Sequence, residues 1–414
     1  MKRLNIICFV VVFAAGTVFS QETEISISGE LKTGVFWYDR TQFDDAGEYG
    51  NSTGAFIHNG EDTNWAGGTT DYDVFKNQPG RFRLNFQVER GNIGTKFRFE
   101  AASTDFSTPN PEIKLSYAFA YGYFWDRQIK ISAGKMGDSP WGTGGPEMWR
   151  ELDTRVGLRF EMIPGFIPFI KPGQLNFGWV INYLDSGRDA VEQEFNGERG
   201  IYFLDIMKES VIGLSYHNDW MLLNASYRFD SEADGGKGET LIYRIEERAL
   251  QKLVPNLQFF ANGIVENLNI PISKQMEEQG VTETGSMIST TNWFYVQYAP
   301  EWFTAQVRGG LTSPSRGQGQ YYIRASFYYN LFNNLLSVGP AFEYANDYGS
   351  GRKGDNYLRW YIEPMVRFNF ANGCYAALVY RFQDDVETWN PTSGDSTTLK
   401  TLSNWLNLRV VLTF

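Results

Sequence analysis

Cysteine is nearly absent from this chain of 414 residues: there are two, Cys8 and Cys374. Histidine is as scarce, at His58 and His217. Past the first twenty residues no apolar run approaches the roughly 18 residues that a membrane helix needs. Positive charge is also in deficit, with 37 Lys and Arg against 48 Asp and Glu and a net charge of −11. Each shortage excludes something. Neither histidine has neighbours that form a nucleophile elbow or a zinc-ligand pair, so histidine-centred catalysis lacks its constellation. The acid excess argues against a nucleic-acid partner, which favours a basic surface. "GGKGET" (Gly235 to Thr240) lacks the phosphate-loop spacing, and "DDAGEYGN" (Asp44 to Asn51) departs from an EF-hand. No cofactor and no metal is therefore expected.

The amino terminus has the layout of a secretory signal peptide. Lys2 and Arg3 precede an apolar run from Leu4 to Ala15, and Val18, Phe19 and Ser20 stand before Gln21. Cleavage is expected after Ser20. The run is shorter than the about 20 residues of a membrane anchor, and Cys8 lies inside it rather than at its end, which argues against a lipoprotein. Residues 21–414 then form a single domain. Without Lys2 and Arg3 its charge falls from −11 to −13. Cys374 is left alone, so no internal disulfide stabilises this exported chain.

Aromatic residues and glycine are plentiful, at 16% and 42 residues, a mix suited to strands and turns. Apolar and polar residues alternate again and again. "RFRLNFQVE" sets Phe82, Leu84, Phe86 and Val88 against Arg81, Arg83, Asn85, Gln87 and Glu89. The same period of two marks "EISISGELKTGVFWY", "TKFRFEA", "LNFGWVINY", "YYIRASFYYN", "LRWYIEPMVRF" and "CYAALVYRF". Helical spacing shows only around Ile245 to Leu253, so Thr240 to Asn267 reads either as two strands or as a strand and a helix. Connections alternate in length. Short ones fall at 90–94, 125–128, 163–173, 217–219, 253–256, 298–302, 330–334 and 370–373. Long polar ones fall at 39–77, 103–111, 137–153, 185–209, 231–239, 268–290, 312–319, 346–356 and 383–400. These predict an all-β fold: a transmembrane antiparallel up-and-down β-barrel of about eighteen strands, sixteen being the lower count, with tight periplasmic turns and long extracellular loops. A soluble β-sandwich also alternates, but its loops need not alternate in length. Nor would Trp37, Tyr123, Trp125, Trp220, Trp302, Tyr329, Tyr344 and Trp360 gather where strands end, as they do at the two rims of a membrane barrel.

The last stretch, "WLNLRVVLTF", puts Leu406, Leu408, Val410, Leu412 and Phe414 on one strand face. With the leader and the alternating strands, it resembles the Gram-negative outer-membrane barrels of the porin type. The resemblance is architectural over the mature chain and motif-like only in this strand. It implies that those five residues form the signal read by the barrel assembly machinery. It also implies that lipid of the outer membrane covers the apolar face, and that the chain forms a homotrimer.

Residues on the opposite face then line a lumen. Lys32, Arg81, Arg83, Lys96, Arg98, Arg359, Arg367, Arg381 and Arg409 fall on one arc once the last strand pairs with the first, forming a candidate basic wall. Lys114, Arg155, Arg159, Arg308 and Arg324 add to it elsewhere. Glu30, Glu89, Glu100, Glu161, Glu343 and Glu363 are the acids available to pair with them. Either the cations are neutralised in cross-strand pairs or they select solutes, as rows of charge do in pores. The third loop carries Asp138, Glu147, Glu151 and Asp153. In the porins that this chain resembles, such a loop often enters the lumen as a constriction. The first loop, with Asp44, Asp45, Glu48, Glu61, Asp62, Asp71 and Asp73, is the other candidate cap. Trp293, Tyr295, Tyr322, Tyr328 and Tyr361 point inward and offer a sugar track or packing for loops. The leading expectation is a water-filled channel passing ions and small hydrophilic solutes. An adhesin with a lumen plugged by loops is the alternative, and a membrane enzyme comes third.

Overall fold

The structure is a computed structural model and describes residues 23–44, 47–57, 81–102, 113–137, 140–143, 156–167, 170–171, 173–184, 194–195, 198–199, 210–229, 239–268, 288–313, 319–346, 356–389 and 397–414. The expected leader, residues 1–20, lies outside them, as do His58, Asp45, Glu61, Asp62, Asp71, Asp73 and Arg155.

The strands are β1 (Thr23–Asp44), β2 (Gly47–Ile57), β3 (Arg81–Arg90), β4 (Ile93–Ala102), β5 (Lys114–Phe124), β6 (Ile129–Lys135), β7 (Val156–Met162), β8 (Leu175–Leu184), β9 (Glu194–Phe195), β10 (Glu198–Arg199), β11 (Val211–His217) and β12 (Met221–Arg228). They continue with β13 (Glu239–Glu247), β14 (Leu257–Leu268), β15 (Ser289–Tyr298), β16 (Phe303–Ser313), β17 (Gln320–Leu331), β18 (Leu336–Asn346), β19 (Asn356–Ala371), β20 (Cys374–Trp389) and β21 (Thr397–Thr413). Among the described residues one short helix, α1 (Ala249–Leu253), sits between β13 and β14. It settles the stretch from Thr240 to Asn267 as two strands, with the helix as their turn.

Nineteen strands share one antiparallel sheet. The lower part of β1, Thr23 to Lys32, pairs with β3, and its upper part, Val35 to Asp44, pairs with β2. The other edge of β1 pairs with β21 from Glu30 to Phe43. With β2 standing above β3, eighteen strands close the wall into a barrel. β9 and β10 form a separate small hairpin.

The wall is inside out by the standards of a soluble protein. On β19 the outward Ile362 and Val366 are each 45% exposed, whereas the inward Tyr361 is 0% exposed. Outward Phe294, Ile323, Phe342, Leu378 and Leu408 are exposed in the same way on neighbouring strands. Aromatic residues fringe this belt at both rims. On the loop side Trp360 faces Phe382 at 5.5 Å and Tyr321 faces Tyr344 at 6.2 Å. On the turn side Trp125 stacks on Phe166 at 6.3 Å, with Trp220, Trp302 and Phe332 exposed nearby. A contiguous apolar belt of this extent needs hydrocarbon against it. The chain is a transmembrane antiparallel β-barrel, and its mixed face points into the lumen.

The wall is uneven in height. β6, β7 and β11 have 7 residues each, fewer than the about 9–11 of a bilayer-spanning strand. β19, β20, β21 and β1 have 16, 16, 17 and 22. Their surplus, widened by β2, rises above the bilayer as a sheet. Residues 39–44 and 383–389, which read as loop from sequence, therefore continue the strands β1 and β20.

The seam between first and last strands closes tightly. Gly29 N–H donates to the Phe414 carbonyl at 2.7 Å, and Phe414 N–H donates back to the Gly29 carbonyl at 3.1 Å. The Phe414 ring lies where a Gly29 side chain would stand, so any Cβ there overlaps it. Gly29→Val is expected to destabilise the folded barrel by about 1–3 kcal/mol through overpacking, read by guanidinium unfolding in lipid vesicles. Adding Phe414→Ala removes the overlap with the ring and leaves only the contact with the Arg83 carbonyl, at 2.9 Å, so the double variant loses less than the sum of the two single losses.

Candidate functional site

Strand parity decides which residues line the lumen, and register sets them side by side. Phe260, Tyr295, Arg308, Arg324, Glu343, Tyr361, Gln383, Ser403 and Arg40 occupy one continuous rung from β14 to β1. The rung on its loop side carries Arg244, Asn262, Trp293, Gly310, Tyr322, Ala345, Arg359, Asp385 and Thr401.

Three guanidinium groups and three carboxylates interlock where these rungs cross β17 to β20. Arg324 donates to Glu363 Oε1 and to the Tyr361 hydroxyl, both at 2.7 Å. Tyr361 in turn donates to Glu343 Oε2 at 2.7 Å, and Arg359 donates to Glu343 Oε1 at 2.6 Å. Arg381 Nε reaches Glu363 Oε2 at 2.9 Å, and its plane lies 3.8 Å from the Tyr361 ring centroid. Asp385 accepts from Tyr357 at 2.9 Å and from Gln383 at 2.8 Å. All these side chains are buried, and their charges cancel. Arg359 and Arg381, two members of the expected basic wall, thus belong to a neutral buried network.

Four of the remaining members fall into two groups. Lys32 pairs with Glu30 at 3.0 Å, and Arg83 pairs with Glu100 at 2.8 Å. Arg98 instead donates to Asn85 Oδ1 at 2.6 Å and lies 4.6 Å from the Tyr117 ring centroid. Arg367 donates to Asn369 Oδ1 at 2.5 Å and lies 4.0 Å from the Tyr375 ring centroid. An amide and an aromatic face hold these two cations in place without cancelling their charge. Lys96 stands opposite Gln87, and Arg409 opposite Ala377 and Gly34. Arg81 is in register with Lys32, and its side chain is outside the described set.

Cations also line the far arc, where the sequence reading had placed Arg159, Arg308 and Arg324 but not Arg244. Arg159 pairs with Glu161 at 2.7 Å; Arg244 pairs with Glu246 at 2.7 Å and lies 4.6 Å from the Phe260 ring centroid. The alternation in "LIYRIEE" was the signal for Arg244. At the turn side, Arg127 reaches back from the β5–β6 turn to Glu89 at 2.8 Å. That hydrogen bond to the carboxylate raises the Arg127 pKa further above its ordinary value.

Of the third loop, residues 140–143 are described, and they lie against the inner face of the wall. Trp141, between β6 and β7, is fully buried and donates its indole N–H to Asn176 Oδ1 at 2.9 Å. Asn224 donates to the Gly142 carbonyl and Arg244 to the Thr143 carbonyl, each at 3.0 Å. The indole lies over Gly213 of β11, where a Cβ would overlap it. Tyr117, Phe119, Met136, Val180 and Val211 pack in the same buried cluster, which also takes in Trp293 and Tyr322. Asp138, Glu147, Glu151 and Asp153 lie outside the described residues. Of the inward aromatics expected from sequence, Trp293, Tyr295, Tyr322 and Tyr361 are buried on the inner face, and Tyr328 shares the inward row of β17. His217 is at the turn-side end of β11. Among the described residues no group of His, Cys, Asp and Glu is placed to hold a metal ion.

Solved structures with a similar course of chain include outer-membrane proteins. OccAB3 of Acinetobacter baumannii is 14% identical over 94% of this chain and 100% of its own, with a TM-score of 0.47. OpdQ of Pseudomonas aeruginosa is 10% identical over 94% and 98%, with a TM-score of 0.48. OmpT, an outer membrane protein of Vibrio cholerae, is 11% identical over 95% and 99%, with a TM-score of 0.41. Likeness at this level carries no argument about activity, and the barrel stands on its own register. No protein-family model and no curated protein matches the chain.

Glu363→Ala leaves Arg324 and Arg381 buried without their shared carboxylate. It is expected to cost about 3–5 kcal/mol in chemical unfolding, whereas Glu100→Ala, in a partly exposed pair, costs about 1 kcal/mol. Trp141→Ala removes the side chain that docks residues 140–143 on the inner wall and is expected to raise single-channel conductance while the barrel stays folded.

Proposed function

We propose that this barrel is a porin, forming a water-filled channel for the passive diffusion of ions and small hydrophilic solutes. The observation that carries the reading is a closed eighteen-strand wall whose inward row keeps charged side chains around its circumference. A barrel of about 16–18 strands leaves an aqueous channel. The segment around Trp141 supports a channel narrowed on its loop side rather than a wide bore. Selectivity then depends on few residues, since Arg359 and Arg381 are neutralised and Arg98 and Arg367 are not. The porin works in transport, and no catalytic step or cofactor enters the proposal.

The proposal includes partners. Residues 1–20 act as a cleaved export signal, and the barrel assembly machinery reads Leu406, Leu408, Val410, Leu412 and Phe414. Outer-membrane lipid surrounds the belt, and the working unit is a homotrimer. The buried cluster around Trp141 favours one competing reading, an adhesin or structural barrel whose loops fill the lumen.

Conductance in a planar bilayer under a salt gradient separates the two. Discrete long-lived steps are expected, and a folded barrel that never conducts overturns the channel. Arg98→Glu with Arg367→Glu is expected to move the reversal potential toward cation preference. An unchanged potential removes these two residues from the selective region.

A further inference from the structure

One place on the lipid-facing wall breaks the rules of a membrane sheet. Pro340 of β18 and Pro364 of β19 are direct register partners, and both face outward. Neither has an N–H to give to the ladder. Pairing accordingly lapses on both flanks. Between β17 and β18 it skips Phe327 and Tyr328, and between β19 and β20 it skips Glu363 and Pro364. Gly339 lets the β17 backbone close in beside the gap, for a Cβ there would overlap the Phe327 carbonyl.

The paired rings and their short neighbours leave a recess of about 390 Å³ in the outer surface. Val338, Pro340, Pro364, Val366, Leu378 and Leu406 line it. Tyr380 stands at its edge, with its hydroxyl committed to Asn404 Oδ1 at 2.6 Å, so the edge offers a ring and not a donor. Exposed Phe342, Ile362 and Phe368 stand nearby, making the recess continuous with the hydrocarbon-facing belt. Pro340 lies four residues from Leu336, the turn-side end of β18, which puts the recess in the periplasmic half of the bilayer.

We propose that this recess seats one acyl chain of a phospholipid from the periplasmic leaflet, held as a resident lipid. A flexible chain fits an apolar slot of this size, and chains are what surround it at that depth. A second copy of the protein fits less well. Nine residues line the recess, against the roughly 20–30 per side of a stable protein interface. The inference does not depend on whether the barrel conducts.

Native mass spectrometry of the full protein, extracted in mild detergent and activated until detergent leaves, tests this directly. Wild type is expected to retain one phospholipid. Leu378→Trp and, independently, Val366→Trp fill the recess from different strands, and each is expected to lose that lipid. Leu378→Ala and the distant belt variant Ile323→Trp are expected to keep it. Heat-dependent gel migration confirms that each variant is folded. A wild type without bound lipid, or a folded filled variant that holds lipid as wild type does, overturns the proposal. A filled variant that changes oligomeric state with its lipid intact assigns the recess to a second copy and overturns it equally.

Discussion

In hydrocarbon, a backbone N–H or C=O without a partner costs several kcal/mol, and a strand can satisfy both of its edges only inside a closed sheet. The pairing of β1 with β21 removes the last two edges here, from Glu30 opposite Thr413 to Phe43 opposite Lys400. Everything else depends on that seam. It fixes which face of every strand meets lipid, because one inside and one outside exist only once the sheet is closed. It also brings Arg409 beside Gly34 and Ser403 beside Arg40, so that the lumen has a continuous lining assembled from the two ends of the chain.

Closure brings charge as well as hydrogen bonds under constraint. Side chains turned inward from eighteen strands crowd a limited space, and an ion held there without a partner is costly. The wall meets this in two ways. Around Glu343 and Glu363, acids and guanidinium groups share hydrogen bonds until the charges cancel. At Arg98 and Arg367, an amide and a ring supply the contacts, and the charge persists. The first solution rigidifies the tall side of the barrel. The second leaves charged guanidinium groups on the inner face.

Much of the fold was legible from the sequence because its cause is local. Alternation over Arg81 to Glu89 or Cys374 to Phe382 names the face of each side chain without any knowledge of neighbours. The contrast of short and long connections then gave the strand number. The site was less legible, since parity states a face but not a register. Nothing near Arg359 or Arg381 in the chain announces Glu343 and Glu363, which are brought in by strand pairing. Trp141 is harder still: its lumenal seat depends on Gly213, Asn176 and Asn224, all distant in sequence. The surplus strand at Thr41 to Asp44 was hidden for another reason. Past the bilayer both faces meet water, and the hydrophobic alternation that marks a strand is no longer required.

Glycine first read as a maker of turns, yet Gly29 and Gly213 act as moulds. Each provides a space shaped to one ring, Phe414 at the seam and Trp141 in the lumen. Such a pair constrains its own evolution unequally. The ring can shrink while the mould remains and the cost is a void, but the mould cannot take even a methyl group while the ring is present. Mutational paths through the Gly213–Trp141 couple therefore run in one order, aromatic first and glycine second, whereas Gly29 is held a second time by the Arg83 carbonyl and stays fixed even when its ring has gone.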